Sequence, residues 1–419
     1  MKIKTIEMSY EQVLALPKQK PFAPKKVSLF FRLLLLIVSA FDLFRVKFKC
    51  RKINMDRLGK KEPCLILMNH SSFIDLEIAA TVLFPRRFNI ICTSDGFIGK
   101  NWLMRQIGRI PTKKFITDAR LVRNMIYTVK KLKSSVVMYP EAGYTLDGTA
   151  TVLPKMLGKC LKTLDVPVVM IRTFGAFTRE PLYNGLQPRR VKVSAEMEYI
   201  LSREDIKQRS VDELNDILAK EFSFDNFRWQ QENKVVVNED FRADYLNRVL
   251  YKCPHCMAES MSGEGIYFSC NNCGKKYELT ELGFLKATDG DSAFTHVPDW
   301  FDWQRQMVKE EIKTGEYKIE IPVDICMLVN TKSLYKVGIG TLIHSNEGFL
   351  LEGCDGKLKY SQPINATYSL NVDYYWYEIG DVVSIGNSDV LYYCFPKSDR
   401  DVVTKMRLAA EEMYKDAEL

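Results

Sequence analysis

A histidine followed five residues later by an aspartate is the pattern in this chain that most directly suggests chemistry. His70 and Asp75 form this pair, and the chain holds only four histidines in 419 residues. A carboxylate bonded to one ring nitrogen holds the imidazole in one tautomer and stabilises the imidazolium that forms when the other nitrogen takes a proton. The spacing allows Asp75 to fold back onto His70 across a turn, so the pair predicts a general base acting on a hydroxyl. A structural pair without catalytic work is the alternative interpretation.

Apolar runs predict the elements that would position this pair. Residues 63–68 form a short apolar run typical of a buried parallel strand. His70 then lies at the carboxyl end of a strand, where open α/β sheets carry their sites. Further strands are predicted at 88–92, 136–139 and 166–171, with an alternating edge strand at 191–197. Helices are predicted at 121–132, 154–164 and 206–222, the last preceded by the capping pairs Ser202 with Asp205 and Ser210 with Glu213.

Four blocks in a fixed order resemble the glycerolipid acyltransferase superfamily, typified by bacterial 1-acylglycerol-3-phosphate acyltransferases. The blocks run from His70 to Asp75, from Gly108 to Lys114, from Tyr139 to Thr145 and from Val166 to Ile171. They resemble the family's His-x4-Asp, Gly-x-Ile/Phe-x-x-x-Arg, Phe-Pro-Glu-Gly-Thr-Arg-Ser and Val-Pro-Val/Ile segments in that order. The resemblance covers about residues 25–230, roughly half of the chain.

The resemblance implies transfer of a fatty acyl group from acyl-CoA or acyl carrier protein thioester to a lipid hydroxyl. His70 would be the general base, Asp75 would orient it, and Glu141 completes the expected catalytic set. A loop carboxylate that bonds backbone amides is the alternative role of Glu141. The expected substrate-binding residues are Asn69, Arg109, Lys113, Lys114, Gly143 and Tyr144. Because the thioester is already activated, no acyl-enzyme is needed, and the thiols of Cys64 and Cys92 are interpreted as small core groups.

The chain departs from the family pattern at its phosphate-binding positions. The family's arginine in the third block is Tyr144 here, and a phenol cannot form a charged, bidentate clamp. In the second block the family's arginine falls on Lys114. Either Arg109, Lys113 and Lys114 hold an acceptor phosphate as point charges, or the acceptor is not a simple lysophosphatidate.

Two Cys-x2-Cys pairs predict a metal site. Cys253 and Cys256 precede Cys270 and Cys273 with thirteen residues between the pairs. Four thiolates at this spacing are typical of a zinc ribbon, a closed structural site for one zinc ion. His255 lies inside the first knuckle and is expected to be exposed. Iron and a pair of disulfides are the alternatives, and disulfides would require export, for which the sequence shows no signal.

Charge and hydropathy near the start of the chain suggest a membrane surface. Residues 1–60 hold fourteen Lys and Arg against four Asp and Glu, whereas the whole chain carries +8. The uncharged run 33–41 is too short to span a bilayer, which takes about twenty residues. A helix over 27–44 lying in the interface of an anionic membrane is therefore predicted, and a buried first helix of the α/β domain is the alternative. Nucleic-acid binding is not expected, because no aromatic residues are interleaved with the basic ones.

The last third of the chain reads as β-rich. An amphipathic helix is predicted at 298–312, followed by short strands and a C-terminal helix at 399–414. In pattern this resembles a pleckstrin-homology-type barrel, which would place the aromatic run 374–377 in the wall and rim. Such modules often contact membranes or partners, and a stability or oligomerisation domain is the equal alternative.

These observations predict an α/β acyltransferase with appended modules. The boundaries are a basic arm and interfacial helix at 1–60, the acyltransferase domain at 61–235, a zinc ribbon at 245–285, a helical connector at 286–315 and the β-rich module at 316–419. The expected function is acylation of a lysophospholipid-type acceptor, with 1-acylglycerol-3-phosphate as the first candidate, at the cytoplasmic face of the membrane. The alternative is an inactive membrane scaffold that binds partners through the ribbon and the last module.

Overall fold

The computed structural model describes residues 3–20, 22–113, 119–185, 187–398 and 400–417. The helices are α1 (Tyr10–Leu14), α2 (Leu29–Arg45), α3 (Asp75–Leu83), α4 (Asn101–Gln106), α5 (Ala119–Lys130), α6 (Leu157–Leu164), α7 (Ala176–Arg179), α8 (Arg203–Gln208), α9 (Val211–Glu221), α10 (Asn226–Glu232), α11 (Val297–Thr314) and α12 (Val402–Ala417). Among the described residues, no helix combines the length and the apolar character needed to cross a bilayer.

The strands fall into three sheets. The first sheet uses β2 (Lys49–Ile53), β3 (Leu65–Met68), β4 (Phe88–Thr93), β5 (Arg109–Thr112), β6 (Ser135–Met138), β7 (Val168–Phe174) and β8 (Ser194–Leu201). The second uses β9 (Met261–Glu264), β10 (Tyr267–Cys270), β11 (Lys276–Leu279) and β12 (Leu285–Ala287). The third uses β1 (Thr5–Glu7), β13 (Lys318–Leu328), β14 (Leu334–Ser345), β15 (Gly348–Gly353), β16 (Leu358–Gln362), β17 (Asn371–Trp376), β18 (Gly380–Gly386) and β19 (Leu391–Pro396).

The first sheet confirms the predicted α/β domain. Its order is β2-β8-β7-β3-β6-β4-β5, and all neighbours are parallel except β7 and β8. Every residue of β3 is fully buried, as expected for a central strand covered on both faces. The predicted edge position of 191–197 is wrong, because β2 pairs with β8 and takes the edge. The predicted helix 206–222 is two helices, α8 and α9, each started by its predicted capping box.

The second sheet is a four-stranded antiparallel meander in the order β12-β11-β10-β9. Gly265 has a φ of +65°, a left-handed conformation that suits glycine, in the tight turn between β9 and β10. The side chains of Phe268 and Tyr277 pack edge-on against Trp300 of α11. This contact ties the sheet to the helix that follows it.

The third sheet confirms the β-rich character of the last module, and α12 confirms its C-terminal helix. The predicted barrel is not formed as a closed one: across the described residues the paired path runs β16-β15-β14-β13-β19-β18-β17, and β16 does not pair with β17. After β16, Pro363 and the short 3₁₀ turn Ile364–Ala366 carry the chain across the gap, and α12 packs against this turn and β17. A helix therefore covers the opening that a barrel would close.

The segment before α2 belongs to the third sheet. β1 pairs in parallel with β14, with Thr5 opposite Leu334, and Val13 of α1 is fully buried. The helix predicted at 27–44 is present as α2, which Ser28 caps and which packs against α3. Only Ser39 and Leu43 of α2 are buried, so its remaining apolar side chains are partly or fully exposed.

Candidate functional site

The His70–Asp75 pair lies on the turn between β3 and α3. Nδ1 of His70 is 3.0 Å from Oδ2 of Asp75, which also accepts hydrogen bonds from the backbone amides of Ser71 at 2.8 Å and Ser72 at 3.1 Å. Asp75 is the first residue of α3 and is 1% exposed. Three donors converge on one carboxylate oxygen, so Nδ1 of His70 carries the proton that this contact requires. In that tautomer the lone pair is on Nε2, which is the nitrogen suited to take a proton.

Two tyrosine rings cover the faces of the His70 imidazole. The ring of Tyr139 is stacked at 4.1 Å between centroids, and the ring of Tyr144 lies at 3.9 Å, tilted by 33°. Burial raises the pKa of both tyrosine phenols well above the usual value for a phenol, so both hydroxyls stay neutral. Both faces of the imidazole are therefore covered, and a hydroxyl would reach a ring nitrogen along the edge of the ring.

Glu141 supports the backbone of His70. One carboxylate oxygen accepts from the His70 amide at 3.0 Å, and the other accepts from the amide and hydroxyl of Thr151 at 3.1 and 3.2 Å. Burial raises the pKa of Glu141 to about 7. The next residue, Ala142, has a φ of +55°, a conformation that is costly for a residue with a Cβ. These contacts make Glu141 a positioning residue for the turn.

Other hydrogen bonds fix the same turn to the sheet. Oδ1 of Asn69 accepts from the amide and hydroxyl of Thr173, and its Nδ2 donates to Oγ of Ser71. The amide of Thr145 donates to the carbonyl of His70 at 3.1 Å. Asn69, predicted to bind substrate, is buried and uses its side chain within the protein. Gly143 is also buried, and a Cβ there would meet no atom within 4 Å.

The predicted cationic residues engage the protein itself. Nη1 of Arg109 donates to Sγ of Cys92 at 2.8 Å. The ammonium of Lys113 donates to the carbonyls of Asn387 and Ser388, at 3.3 and 2.5 Å, in the third sheet's module. Lys114 lies outside the described residues. The two described cations predicted to grip a phosphate are thus held by groups of this chain.

The four cysteines of the two knuckles come together. All four sulfur atoms lie within 4.8 Å of one another, with Cys253 and Cys273 at 3.8 Å and Cys256 and Cys270 at 3.6 Å. A tetrahedron of thiolates with zinc–sulfur bonds of about 2.3 Å has edges of about 3.8 Å. The donor set and its spacing fit a zinc ion. No fifth ligand or open position is needed, so the site fits a structural ion.

Three residues near the site were missed as functional by sequence reasoning. Tyr139 stacks on His70, Thr151 holds Glu141, and Phe73 lies 5.2 Å from Tyr144 with 53% of its side chain exposed. Phe73 lies between His70 and Asp75 in the first block, and an aromatic residue inside that block is the sequence signal by which it could have been found. The roles of Tyr139 and Thr151 depend on contacts across the sheet, for which the sequence carries no local signal.

The site lies in the segment that is similar to known acyltransferases. Residues 49–172 match the Acyltransferase family model, and this range includes His70, Asp75 and Glu141. A solved structure, the 1-acyl-sn-glycerophosphate (LPA) acyltransferase PlsC from Thermotoga maritima, is 15% identical, with a TM-score of 0.34 over 46% of this chain and 80% of that chain. No curated protein matches this chain. The family match supports the acyltransferase resemblance of the first module.

Proposed function

We propose that this chain transfers a fatty acyl group from acyl-CoA or acyl carrier protein thioester to a hydroxyl of a lysophospholipid-type acceptor. The acceptor that the resemblance favours first is 1-acylglycerol-3-phosphate. The observation that carries the proposal is the His70–Asp75 pair, 3.0 Å apart at the carboxyl end of β3, inside the segment that matches the Acyltransferase family model.

The side chains supply general-base catalysis. Nε2 of His70 takes the proton of the acceptor hydroxyl as its oxygen attacks the thioester carbonyl. The carbon–sulfur bond breaks, an ester forms, and the proton on the imidazolium passes to the departing thiolate. Asp75 stabilises the imidazolium, and Glu141 holds the His70 backbone in place. A positioned base of this kind contributes about a hundred- to ten-thousandfold in rate.

A second candidate is a scaffold that retains the fold without turnover. It is favoured by Tyr144 at the position of the family's arginine and by the engagement of Lys113 with the last module. Under this proposal the cysteine module and the third sheet bind partners, while no acyl product forms.

A transfer assay separates the two candidates. Purified protein is incubated with acyl-CoA or acyl carrier protein thioester and a panel of lysolipids, and products are identified by mass. Acyl transfer that His70→Ala abolishes supports the enzyme. His296→Ala is the matched control, because the ring of His296, like that of His70, pairs with a carboxylate, that of Asp225 at 2.7 Å. Near-normal turnover by His70→Ala contradicts the mechanism, and no product from wild-type protein favours the scaffold.

We also propose that α2 lies in the interface of an anionic membrane at its cytoplasmic face. Ile37, Phe41 and Phe44 of α2 are 69, 71 and 85% exposed, and Phe31 of the same helix contacts the exposed ring of Trp102. Burying one large apolar side chain contributes about 1.5–3 kcal/mol. The charge excess of residues 1–60 adds attraction to acidic headgroups.

Vesicle binding tests this placement. The double substitution of Ile37 and Phe41 by Glu should weaken binding to anionic vesicles by about 100-fold, since two apolar contacts are lost. Val236→Glu is the control, because Val236 is 53% exposed in another part of the molecule. Equal vesicle binding by the wild type, the double variant and Val236→Glu would refute the interfacial role of α2.

We further propose that the four cysteines hold one structural zinc ion. The support is the spacing of their sulfur atoms, which fits four tetrahedral ligands. The ion would join the two knuckles at the base of the second sheet and leave no position for a substrate. An acyl carrier protein is a further proposed partner, as donor, and nucleic acid is not among the proposed partners.

A further inference from the structure

Two contacts, one just before β17 and one from α12, hold the last module against the loop that carries Glu141. The hydroxyl of Tyr368 donates to the carbonyl of Pro140 at 3.5 Å. Nη1 of Arg407 in α12 donates to the carbonyl of Tyr144 at 3.5 Å, and its Nε donates to Glu411. The last module therefore rests on the loop that follows β6.

A second contact region fixes the end of β17. Ile98, which follows β4, is buried in one cluster with Trp376, Tyr393 and Phe395 of the third sheet, and Tyr377 packs against this cluster. Since β6 and β4 are neighbours in the first sheet, the chain from 368 to 377 runs from the carboxyl end of β6 to that of β4, and β3 is the neighbour of β6 on the other side. His70 lies at that same edge.

The turn after β17 has an unusual backbone. Tyr375, Tyr377 and Glu378 have φ values of 51°, 48° and 65°, and the pairing of β17 with β18 shifts register between Asp373 and Trp376. Residues with a Cβ seldom adopt left-handed conformations, and such strain gathers where a side chain must be held in a particular place. The ring of Tyr375 is 40% exposed, whereas that of Tyr377 is partly buried and packs edge-on against Trp376 at 4.7 Å. The turn thus directs Tyr377 toward the first module.

The charges around Tyr377 agree with this position. Burial raises the pKa of its phenol, and the charges of Asp95, Cys92 and Asp373 raise it further, while Arg109 opposes them. Asp95, Cys92 and Arg109 belong to the first module, at the end of β4 and the start of β5. The hydroxyl is therefore neutral and can donate a hydrogen bond at this edge of the sheet.

We propose that Tyr377 is a specificity-determining residue of the acyltransferase site, placed at the carboxyl edge that also holds His70 and donating a hydrogen bond to the headgroup of the lysolipid. This inference rests on the proposed function. Under this proposal both modules contribute to the site: the first provides the base, and the last provides the residue that selects the acceptor. The aromatic run 374–377 was predicted from the sequence as barrel wall and rim. Within it Tyr374 is a buried core residue, whereas Tyr377 is the proposed headgroup contact.

Kinetics with both substrates test the role of Tyr377. Tyr377→Phe removes one hydrogen bond and should raise the acceptor KM about three- to tenfold, with Tyr377→Ala raising it more. The thioester KM should stay unchanged for both variants. Tyr375→Phe and Tyr375→Ala are matched controls, since Tyr375 occupies the same turn with the same sign of φ but faces solvent. Lysolipids with and without a phosphate are compared for each variant, together with the melting temperature.

The outcomes are distinguishable. A rise in the acceptor KM confined to the Tyr377 variants supports the proposal. Wild-type transfer with an unchanged acceptor KM in Tyr377→Ala overturns it and leaves the acyltransferase proposal standing. A lower melting temperature with both KM values unchanged shows a purely structural role and also overturns it. No transfer by wild-type protein overturns the proposed function and this inference together.

Discussion

Replacing Asp75 by asparagine removes a charge from the candidate site and leaves its hydrogen bonds possible. Oδ2 of Asp75 receives all three contacts, from His70, Ser71 and Ser72. The carbonyl oxygen of asparagine can occupy that position. Its amide nitrogen then replaces Oδ1, which has no hydrogen-bond partner in the described part of the chain. The substitution therefore tests the charge with little change to the turn.

The expected loss follows from the attraction between Asp75 and the imidazolium that forms on His70. The nitrogen and oxygen are 3.0 Å apart, which puts the two charge centres about 4 Å apart. Unit charges at that distance attract by about 4 kcal/mol at an effective dielectric constant of 20. Because the His70 ring is 20% exposed, solvent reduces this to about 2.5–4 kcal/mol. We expect kcat to fall by about 10²- to 10³-fold.

Steady-state acyl transfer with each thioester measures this effect. The thioester KM of Asp75→Asn should stay near the wild-type value, because Asp75 is buried behind His70 and does not line a surface. Asp225→Asn is the control: it removes the charge of a second Asp–His pair, which lies outside the site, and should leave kcat unchanged. A near-normal kcat in Asp75→Asn, or equal losses in both variants, would refute the role assigned to Asp75.

Three further predictions concern the metal, a buried carboxyl and a strained residue. Elemental analysis should find about one zinc per chain. Cys256→Ser should lower the zinc content and increase proteolysis of the second sheet. A wild-type protein without metal would contradict the proposed zinc site. Because burial raises the pKa of Glu141 from 4.5 to about 7, the free energy of unfolding should fall by about 3 kcal/mol as pH rises across that window and level off above it. The fall measured by urea unfolding should be smaller in Glu141→Gln than in wild type. Glu77, whose pKa burial also raises to about 7, adds its own contribution to both proteins. Equal slopes in the two proteins would refute the prediction. Ala142→Gly should raise the free energy of unfolding by about 1 kcal/mol, since glycine adopts a φ of +55° without strain, and a loss of stability in urea would contradict this.

The parts of the site and fold that depend on residues close together in the sequence could be predicted from it. The five-residue spacing of His70 and Asp75 lets a turn into a helix close the pair, and the structure shows that contact. The capping boxes at Ser202 and Ser210 are likewise local, because a side chain reaches only three residues along the chain. Helix α2 also appeared where its apolar run predicted it.

Longer-range pairings could not be predicted in this way. The chain before α2 was expected to lead into the first module, yet β1 pairs with β14 more than 300 residues later. The edge strand β2 was missed because residues 49–53 alternate weakly and are basic. The predicted barrel does not close, and the sequence could not show this because strand patterns specify which segments are extended but not which edges pair.

The sequence by itself determined the chemistry that this protein can offer: a histidine with its carboxylate, and four cysteines at the spacing of a metal site. These depend on residue type and on contacts within one turn or one pair of knuckles. The tertiary structure decided what surrounds them. Packing between elements far apart in the chain put Tyr139 and Tyr144 on the faces of His70 and brought Tyr377 to the carboxyl edge of the first sheet. Which residues become such neighbours depends on burial and shape across the whole core, so no local sequence pattern predicts them.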